Sequence, residues 1–265
     1  MTIRVDPEQN ETHALFGFAD LDRRRVLEIG CGDGRLTWLY ADRVAHVTAI
    51  EPFAPALARA ERNLPREIAS RVTMRQFTFD EFAAASAAST FDVAIFSWSL
   101  CCMEPDEQVP ALEQVHTLLA PDGVLIDIHP VPSTATVEVH RGGQVVFAEP
   151  ASTSDGEGEL QAEEALAHVV ARGVFDAERR AEFDMRVYAS CTSELRDFLA
   201  EAEAHATQAT GEKSDADESG LYERVQHIIA ADEAETEVAY HERARITRLR
   251  PLAHSVAQRP PSRAE

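Results

Sequence analysis

The chain has 265 residues, of which 45% are hydrophobic and 7% aromatic, enough for one substantial core. Its 46 acidic residues outnumber 25 basic ones and give a formal net charge of −21, which repels a phosphate backbone and disfavours nucleic-acid substrates. The N-terminal residues contain no apolar run behind a basic segment, and no apolar stretch reaches the roughly eighteen residues of a membrane helix. We therefore expect a soluble, cytoplasmic protein with no membrane or nucleic-acid partner.

The first part of the chain alternates short apolar runs with helical patterns between residues 24 and 130. This alternation is typical of a parallel sheet with helices on both faces. The five predicted strands are RVLEIG, HVTAIE, RVTMRQF, FDVAIFSW and GVLIDIHP. The four predicted helices between them are LTWLYADRV, PALARAERNL, DEFAAA and ALEQVHTLL. A short helix is also predicted over residues 8–19, leading into the first strand.

The pattern changes after Pro130, where two alternating apolar runs flank Gly142-Gly143 and predict a hairpin over residues 136–147. A mobile loop is predicted next over ASTSDGEGE, followed by a helix over LQAEEALAHVVARG and a strand over RRAEFDMRVYAS. A helix over SELRDFLAEAEA then leads into a flexible polar segment. The chain continues with a predicted helix over LYERVQHIIAADEAE and a last strand over EVAYHERARITRL. The two late strands can complete a Rossmann-like, mainly parallel seven-stranded α/β sheet.

We expect one domain over residues 1–250. Residues 1–23 would lead in, residues 24–130 would form the ligand-binding core, and residues 131–250 would add the hairpin, helices and last two strands. Residues 251–265 are predicted to be disordered.

The most informative motif is the segment Val26 to Gly34, VLEIGCGDG, an apolar strand that runs into a glycine-rich turn before a helix. Glycines serve where the backbone turns sharply and approaches a ligand without a Cβ in the way. The amides at the following helix N-terminus suit an anionic group such as a carboxylate.

Glu51 ends the next predicted strand. An acidic side chain at that strand tip can accept hydrogen bonds from both hydroxyls of a ribose. Glycine turn and acid together predict a site for an adenosyl group. The alternative is an ordinary tight turn with an unrelated surface carboxylate.

VLEIGCGDG followed by AIEP resembles the glycine-rich and acidic motifs of class I S-adenosylmethionine-dependent methyltransferases. The resemblance covers residues 24–130 and implies S-adenosylmethionine as cofactor. It places Gly30, Cys31 and Gly32 along the methionine part, Glu28 in support, and Glu51 at the ribose hydroxyls. The family has an acidic residue after the third strand near the adenine, whereas this chain has Thr78 there. The backbone around Thr78 and Phe79, with the Phe79 ring, would serve instead, and Ser97 and Trp98 after the fourth strand would lie near the methionine and the acceptor.

The sequence lacks the motifs of three other chemistries: nicotinamide binding, amino methylation of bases or glutamine, and cytosine methylation. A nicotinamide site requires G-x-G-x-x-G, whereas the third glycine here comes one residue early, in G-C-G-D-G. Ser97-Trp98-Ser99-Leu100 does not supply the Asn/Asp-Pro-Pro-aromatic motif of amino methylation of bases or glutamine. No Pro-Cys nucleophile for cytosine methylation is present either.

His129, at the end of the fifth predicted strand, is the candidate general base if the acceptor is a hydroxyl or amine. The alternative is a structural histidine bonded to its surroundings. His13 and His116 are expected to be structural. Trp98, Phe147 and Tyr188 are candidate walls of the acceptor pocket, with core packing as their alternative.

The four cysteines, Cys31, Cys101, Cys102 and Cys191, fit neither a disulfide framework nor a paired zinc spacing. We expect reduced thiols and no metal site. Because neighbours on a strand point to opposite faces, Cys101 and Cys102 are expected to pack in the core, with one thiol reaching the site as the alternative.

These features favour methyl transfer to an oxygen, nitrogen or carbon of a small molecule. A non-catalytic S-adenosylmethionine-binding protein and a methyltransferase acting on a protein partner remain as alternatives. The expected assembly is a monomer or homodimer.

Overall fold

The computed structural model describes residues 3–151, 156–210, 219–230 and 236–253. All strands of these segments belong to one sheet. The strands are β1 Arg4–Val5, β2 Arg25–Ile29, β3 His46–Ile50, β4 Val72–Arg75, β5 Phe91–Ser97, β6 Leu119–Pro130, β7 Thr136–Arg141, β8 Gln144–Pro150, β9 Phe175–Ala189 and β10 Thr236–Pro251.

The helices of the described segments lie on both faces of this sheet. They are α1 Asn10–Phe18, α2 Thr37–Tyr40, α3 Ala54–Asn63, α4 Phe79–Ala85, α5 Pro105–Leu118, α6 Glu157–Ala171, α7 Thr192–Thr210 and α8 Ser219–Ala230. Local sequence explains several boundaries. Thr78 caps α4 in a capping box with Glu81, and Pro105 opens α5 at a position that needs no backbone N–H donor.

The predicted seven-stranded, mainly parallel sheet is confirmed, as the central part of a larger one. Strands follow the order β1-β9-β10-β6-β5-β2-β3-β4. The strands β4, β3, β2, β5 and β6 run parallel, β10 runs antiparallel to β6, and β9 pairs antiparallel with β10 and so returns to the common direction. Three strands lie beyond these seven: the edge strand β1, which the sequence did not predict, and the predicted hairpin β7–β8, which joins the sheet through β10.

Two apolar layers enclose the central strands. On one face Phe82, Val115 and Leu166 bring α4, α5 and α6 against the sheet. On the other face Leu15 and Tyr40 bring α1 and α2 against it. A third cluster lies where β7, β9 and β10 extend beyond the parallel strands, and α7 and α8 cover it. The parallel strand ends therefore meet at an edge bordered by α1 and by these added elements.

Some predicted boundaries shift. The helix predicted over residues 36–44 is the single turn α2, and α6 starts at Glu157, inside the predicted loop of residues 151–159. Residues 152–155 of that loop, residues 211–218 of the predicted polar segment and residues 254–265 of the predicted tail lie outside the described residues.

Candidate functional site

The glycine turn follows β2 at the carboxyl edge of the parallel strands. Gly30, Gly32 and Gly34 all adopt positive φ, at 74°, 57° and 86°. A Cβ at Gly30 would lie 2.5 Å from the Cβ of Ser99, and one at Gly34 would lie 2.1 Å from the ring of Trp38. Both the backbone conformation and the neighbouring side chains therefore require glycine.

Glu51 joins the end of β3 to that turn. One carboxylate oxygen, Oε2, accepts a hydrogen bond from the Gly32 amide at 2.8 Å, and Oε1 accepts one from the Phe53 amide at 2.9 Å. A carboxylate oxygen has capacity for more than one hydrogen bond. The two features that predict an adenosyl site are thus in direct contact, with an ionisable acceptor between them.

Glu28 lies beneath the turn. Its Oε2 accepts hydrogen bonds from the hydroxyls of Thr37 and Tyr40, each at 2.6 Å, and the residue is 2% exposed. Burial raises the pKa of Glu28 to about 7, even though the two hydroxyls favour the charged form. This geometry suits the supporting role predicted for Glu28, since its carboxylate ties α2 to β2.

Cys31 lies within the glycine turn, and Ser97 lies at the end of the strand that pairs with β2. Cys31 is buried, and desolvation raises the pKa of its thiol well above the usual range, which keeps it protonated. Ser97 ends β5, and its hydroxyl donates to Glu11 of α1 at 2.6 Å.

Thr78 and Phe79 follow β4. The Thr78 hydroxyl accepts from the Glu81 amide at 3.4 Å and the Thr78 amide donates to the Glu81 carboxylate at 3.1 Å. The Phe79 ring is 5% exposed and packs edge-on against Phe96 with centroids 6.1 Å apart. The ring therefore belongs to the core, which leaves the backbone of this segment as the predicted adenine contact.

The structure argues against His129 as a general base. Its side chain is fully buried, with Nδ1 2.5 Å from Asp127 Oδ2 and Nε2 3.0 Å from Glu163 Oε1. Burial alone lowers the pKa of His129, but the charges and hydrogen bonds of Asp127 and Glu163 outweigh it and raise that pKa to about 9. A protonated imidazole with both nitrogens engaged cannot take a proton, so the geometry favours the structural alternative.

Glu163 of α6 is the centre of this partly buried ionic cluster. It contacts Arg180 of β9 and Arg245 of β10 as well as His129. Burial raises the pKa of Glu163, but these three partners outweigh it and hold the value well below the usual range. The cluster joins α6 to three strands.

The placement of Cys101 and Cys102 differs from the prediction. They lie in a 3-10 turn, Leu100–Cys102, after β5 and not on the strand, so their side chains do not point to opposite faces. The hydrogen bond between Cys101 and Cys102, together with burial, raises the pKa of Cys101 well above its usual range. All four cysteines are free thiols, and the described residues contain no group of three or more His, Cys, Asp or Glu side chains that could hold a metal.

The remaining candidates divide between site and scaffold. Trp98 is half-buried at the end of β5, and its ring N–H donates to Glu11 at 3.0 Å. Phe147 packs against the cluster under α7 and α8, and Tyr188 donates its hydroxyl to Glu8 at 2.8 Å. His116 bonds the Leu252 carbonyl at 2.8 Å, whereas His13 is exposed.

Sequence reasoning missed Glu11, whose carboxylate gathers three donors beside the glycine turn. A helical signal for it existed, because Glu11 shares one face of α1 with the buried residues Leu15 and Phe18. A charged residue on the apolar face of a helix requires buried partners. The Asp127–His129 contact had a signal too, since residues two apart on a strand face the same side.

Comparison with known proteins identifies the core. Residues 26–123 match the family described as a methyltransferase domain. This segment belongs to the class I S-adenosylmethionine-dependent methyltransferases. The family cofactor is S-adenosylmethionine, and the methyltransferase domain contains the glycine turn, Glu51, Thr78 and Ser97.

Curated relatives of the methyltransferase domain differ in the acceptor that their names give. A ubiquinone biosynthesis O-methyltransferase of Actinobacillus pleuropneumoniae is 33% identical over 130 residues, 46% of this chain and 50% of the relative. A cypemycin N-terminal methyltransferase of a Streptomyces species is 33% identical over 107 residues, 39% of this chain and 40% of the relative. The chain therefore aligns with half or less of the length of these relatives.

Among solved structures, a methyltransferase-like protein from Bacillus halodurans shares the fold over most of both chains. The TM-score is 0.53 at 12% identity, covering 91% of this chain and 98% of that one. At this identity the likeness shows the fold alone. Within the described residues, no helix combines the length and apolar character needed to cross a membrane.

Proposed function

We propose that this protein transfers the methyl group of S-adenosylmethionine to an oxygen, nitrogen or carbon of a small-molecule acceptor. The observation that carries the proposal is the contact between Glu51 and Gly32, 2.8 Å from carboxylate to amide. It brings the acid at the end of β3 onto the glycine turn after β2, as an adenosyl site requires.

The donors and acceptors present fit this cofactor. Glu51 supplies oxygens for the ribose hydroxyls, and the open backbone of Gly30, Cys31 and Gly32 lets the methionine part approach. Glu28 keeps the turn in place from beneath. Backbone groups at Thr78 and Phe79 would contact the adenine, and Ser97 would border the methionine part.

The bound cofactor supplies a methyl group already activated on a sulfonium sulfur. The work left to the protein is alignment of an acceptor and exclusion of water. With His129 held between two carboxylates, we assign no residue of the buried cluster to proton removal. The acceptor pocket would lie near Trp98, bordered by α1, the hairpin β7–β8 and α6.

Two measurements test the proposal. Calorimetry should show binding of S-adenosylhomocysteine and none of NAD; binding of NAD alone would overturn the adenosyl assignment. Incubation of the protein with methyl-labelled S-adenosylmethionine and cell extract, followed by separation into small and large fractions, should place label in small molecules other than S-adenosylmethionine itself. Label in proteins would replace the small acceptor with a protein partner, and no transfer beyond a no-enzyme control would contradict the enzymatic proposal.

A further inference from the structure

Glu11 is a fully buried carboxylate in the first turn of α1. Its Oε2 contacts the Arg35 guanidinium, while Oε1 accepts hydrogen bonds from the Ser97 hydroxyl at 2.6 Å and the Trp98 ring N–H at 3.0 Å. Three donors from two different strand ends therefore converge on one side chain of the N-terminal helix.

The backbone at Glu11 is held as firmly as its side chain. Asp6 accepts hydrogen bonds from the amides of Asn10 at 3.0 Å and Glu11 at 2.9 Å. The Asn10 side chain donates to the Asp184 carbonyl at 3.0 Å. Hydrogen bonds to Asp6 and Asp184 therefore anchor the N-terminal end of α1, which carries Glu11.

The charge of Glu11 is retained in the fold. Burial raises the pKa of this carboxyl, but the Arg35 charge and the three hydrogen bonds outweigh burial and lower it below its usual value. A buried charge is costly unless its partners are well placed. Tying α1 to the core would require only apolar contacts, which Leu15 and Phe18 already supply.

The partners of Glu11 are the segments that border the methionine part in the proposed site. Arg35 comes directly after the glycine turn, Ser97 ends β5, and Trp98 follows it. Trp98 has φ +58°, a left-handed conformation that is unusual for a bulky residue, and its amide donates to the Ile128 carbonyl at 2.8 Å. Strained backbone of this kind persists only where its surroundings fix it.

Arg35 has capacity for a second anion. Its side chain is 31% exposed, and within the described part of the chain its guanidinium bonds Glu11 through Nη1 alone. A guanidinium carries five N–H donors in a planar fork that suits carboxylates.

We infer that Glu11 is a positioning residue for the amino-acid end of the cofactor: it orients Arg35 to pair with the cofactor carboxylate and fixes Ser97 and Trp98 beside it. The inference rests on the proposed function. The N-terminal helix is then a working part of the cofactor site and not only a cover for the sheet.

The experiment compares two ligands that differ by the amino-acid end. S-adenosylhomocysteine carries it, whereas 5′-methylthioadenosine keeps the adenosyl group and sulfur but lacks it. Calorimetry on the full chain should show that Glu11→Gln weakens S-adenosylhomocysteine binding at least tenfold and changes 5′-methylthioadenosine binding less than threefold. A purely structural role would weaken both ligands alike or neither, and either result overturns the inference.

The matched control is Asp92→Asn. Asp92 pairs with Arg25 at 2.9 Å at the opposite ends of β5 and β2, so its loss breaks an ion pair between the same strands away from the site. Both affinities should stay within twofold. If Glu11→Gln fails to fold, Trp98→Phe keeps an aromatic ring but removes the indole N–H that Glu11 accepts. It should weaken S-adenosylhomocysteine three- to fivefold with 5′-methylthioadenosine unchanged; an unchanged ratio overturns the inference. Failure of the wild-type protein to bind either ligand would instead contradict the proposed function.

Discussion

Buried and half-buried carboxylates occur in two regions of this molecule, and their partners differ. At the glycine turn, Glu28 and Glu51 accept hydrogen bonds from hydroxyls and backbone amides. In the added part, Glu163 and Glu138 are surrounded by histidine and arginine. Burial alone would raise the pKa of Glu138, but His241, His140 and Arg186 outweigh it and lower that pKa to about 2.

This difference separates carboxylates that can bind a ligand from carboxylates that hold other groups in place; Glu11, which Arg35 contacts, belongs to the second kind although it lies beside the glycine turn. Carboxylates held by neutral donors keep the capacity to accept hydrogen bonds from a ligand. Carboxylates saturated by cations fix secondary-structure elements to one another, as Glu163 fixes α6 to β6, β9 and β10. The following predictions test this division.

The largest effect is expected at the turn itself. Gly34→Ala combines a left-handed backbone with a Cβ 2.1 Å from the Trp38 ring, so we expect a loss of about 3–5 kcal/mol in the free energy of unfolding. Gly142→Ala is the control, because it also has positive φ but no atom within 4 Å of the added Cβ, and should cost only about 1 kcal/mol. Denaturant unfolding measures both. Equal losses would show that strain alone, without packing, requires glycine at position 34.

His129→Gln tests the scaffold region. Because the pKa of His129 is raised to about 9 on folding, its contribution is complete below pH 6.5 and is lost as the pH rises through about 9. The variant should therefore be less stable than wild type by about 3 kcal/mol at pH 6 and by much less at pH 10.

Turnover by the folded fraction of His129→Gln should stay within about tenfold of wild type, and affinity for S-adenosylhomocysteine should be unchanged. A fall of about 10²- to 10⁴-fold in turnover with stability preserved would restore the catalytic role.

The glycine turn and its acid could be predicted from the sequence, whereas the ion pairs of Glu163 and the contacts of Glu11 could not. Gly30 and Glu51 belong to strand ends whose order follows from local apolar patterns and the rules of parallel sheets. Glu163 meets Arg245 from 82 positions away, and Glu11 meets Trp98 from 87. Such pairs depend on which strands become neighbours, and the insertion of β10 between β6 and β9 leaves no trace in local periodicity.

Glu51→Ala tests the binding region. It should weaken S-adenosylhomocysteine by about 1.5–3 kcal/mol, the range for hydrogen bonds to a charged group, without unfolding the protein. Glu61→Ala, on the exposed face of α3, serves as control and should leave affinity unchanged. Titration calorimetry measures the dissociation constant of S-adenosylhomocysteine for both variants. An unaltered dissociation constant for Glu51→Ala would mean that the ribose binds elsewhere.

Glu28→Gln tests the support beneath the turn through the pH dependence of stability. A pKa raised to about 7 means that the carboxyl stabilises the fold most below about pH 4.5, and that this contribution is lost as the pH rises through about 7. The amide cannot ionise, so the stability of the variant relative to wild type should improve by about 2.5 kcal/mol between pH 5 and pH 8. Unfolding curves at the two pH values measure it, and parallel pH profiles for both proteins would mean that Glu28 is already ionised at pH 5.

The place of β10 also bears on how the protein is made. Because β10 pairs with β6 on one side and with β9 on the other, the sheet is complete only after residue 251 has left the ribosome. Until then the backbone of β6 presents an open edge, a surface on which foreign strands can add. A nascent chain stalled before β10 should therefore hold a formed glycine turn yet depend on chaperones, and release of the last strand would be the event that commits it to the native state.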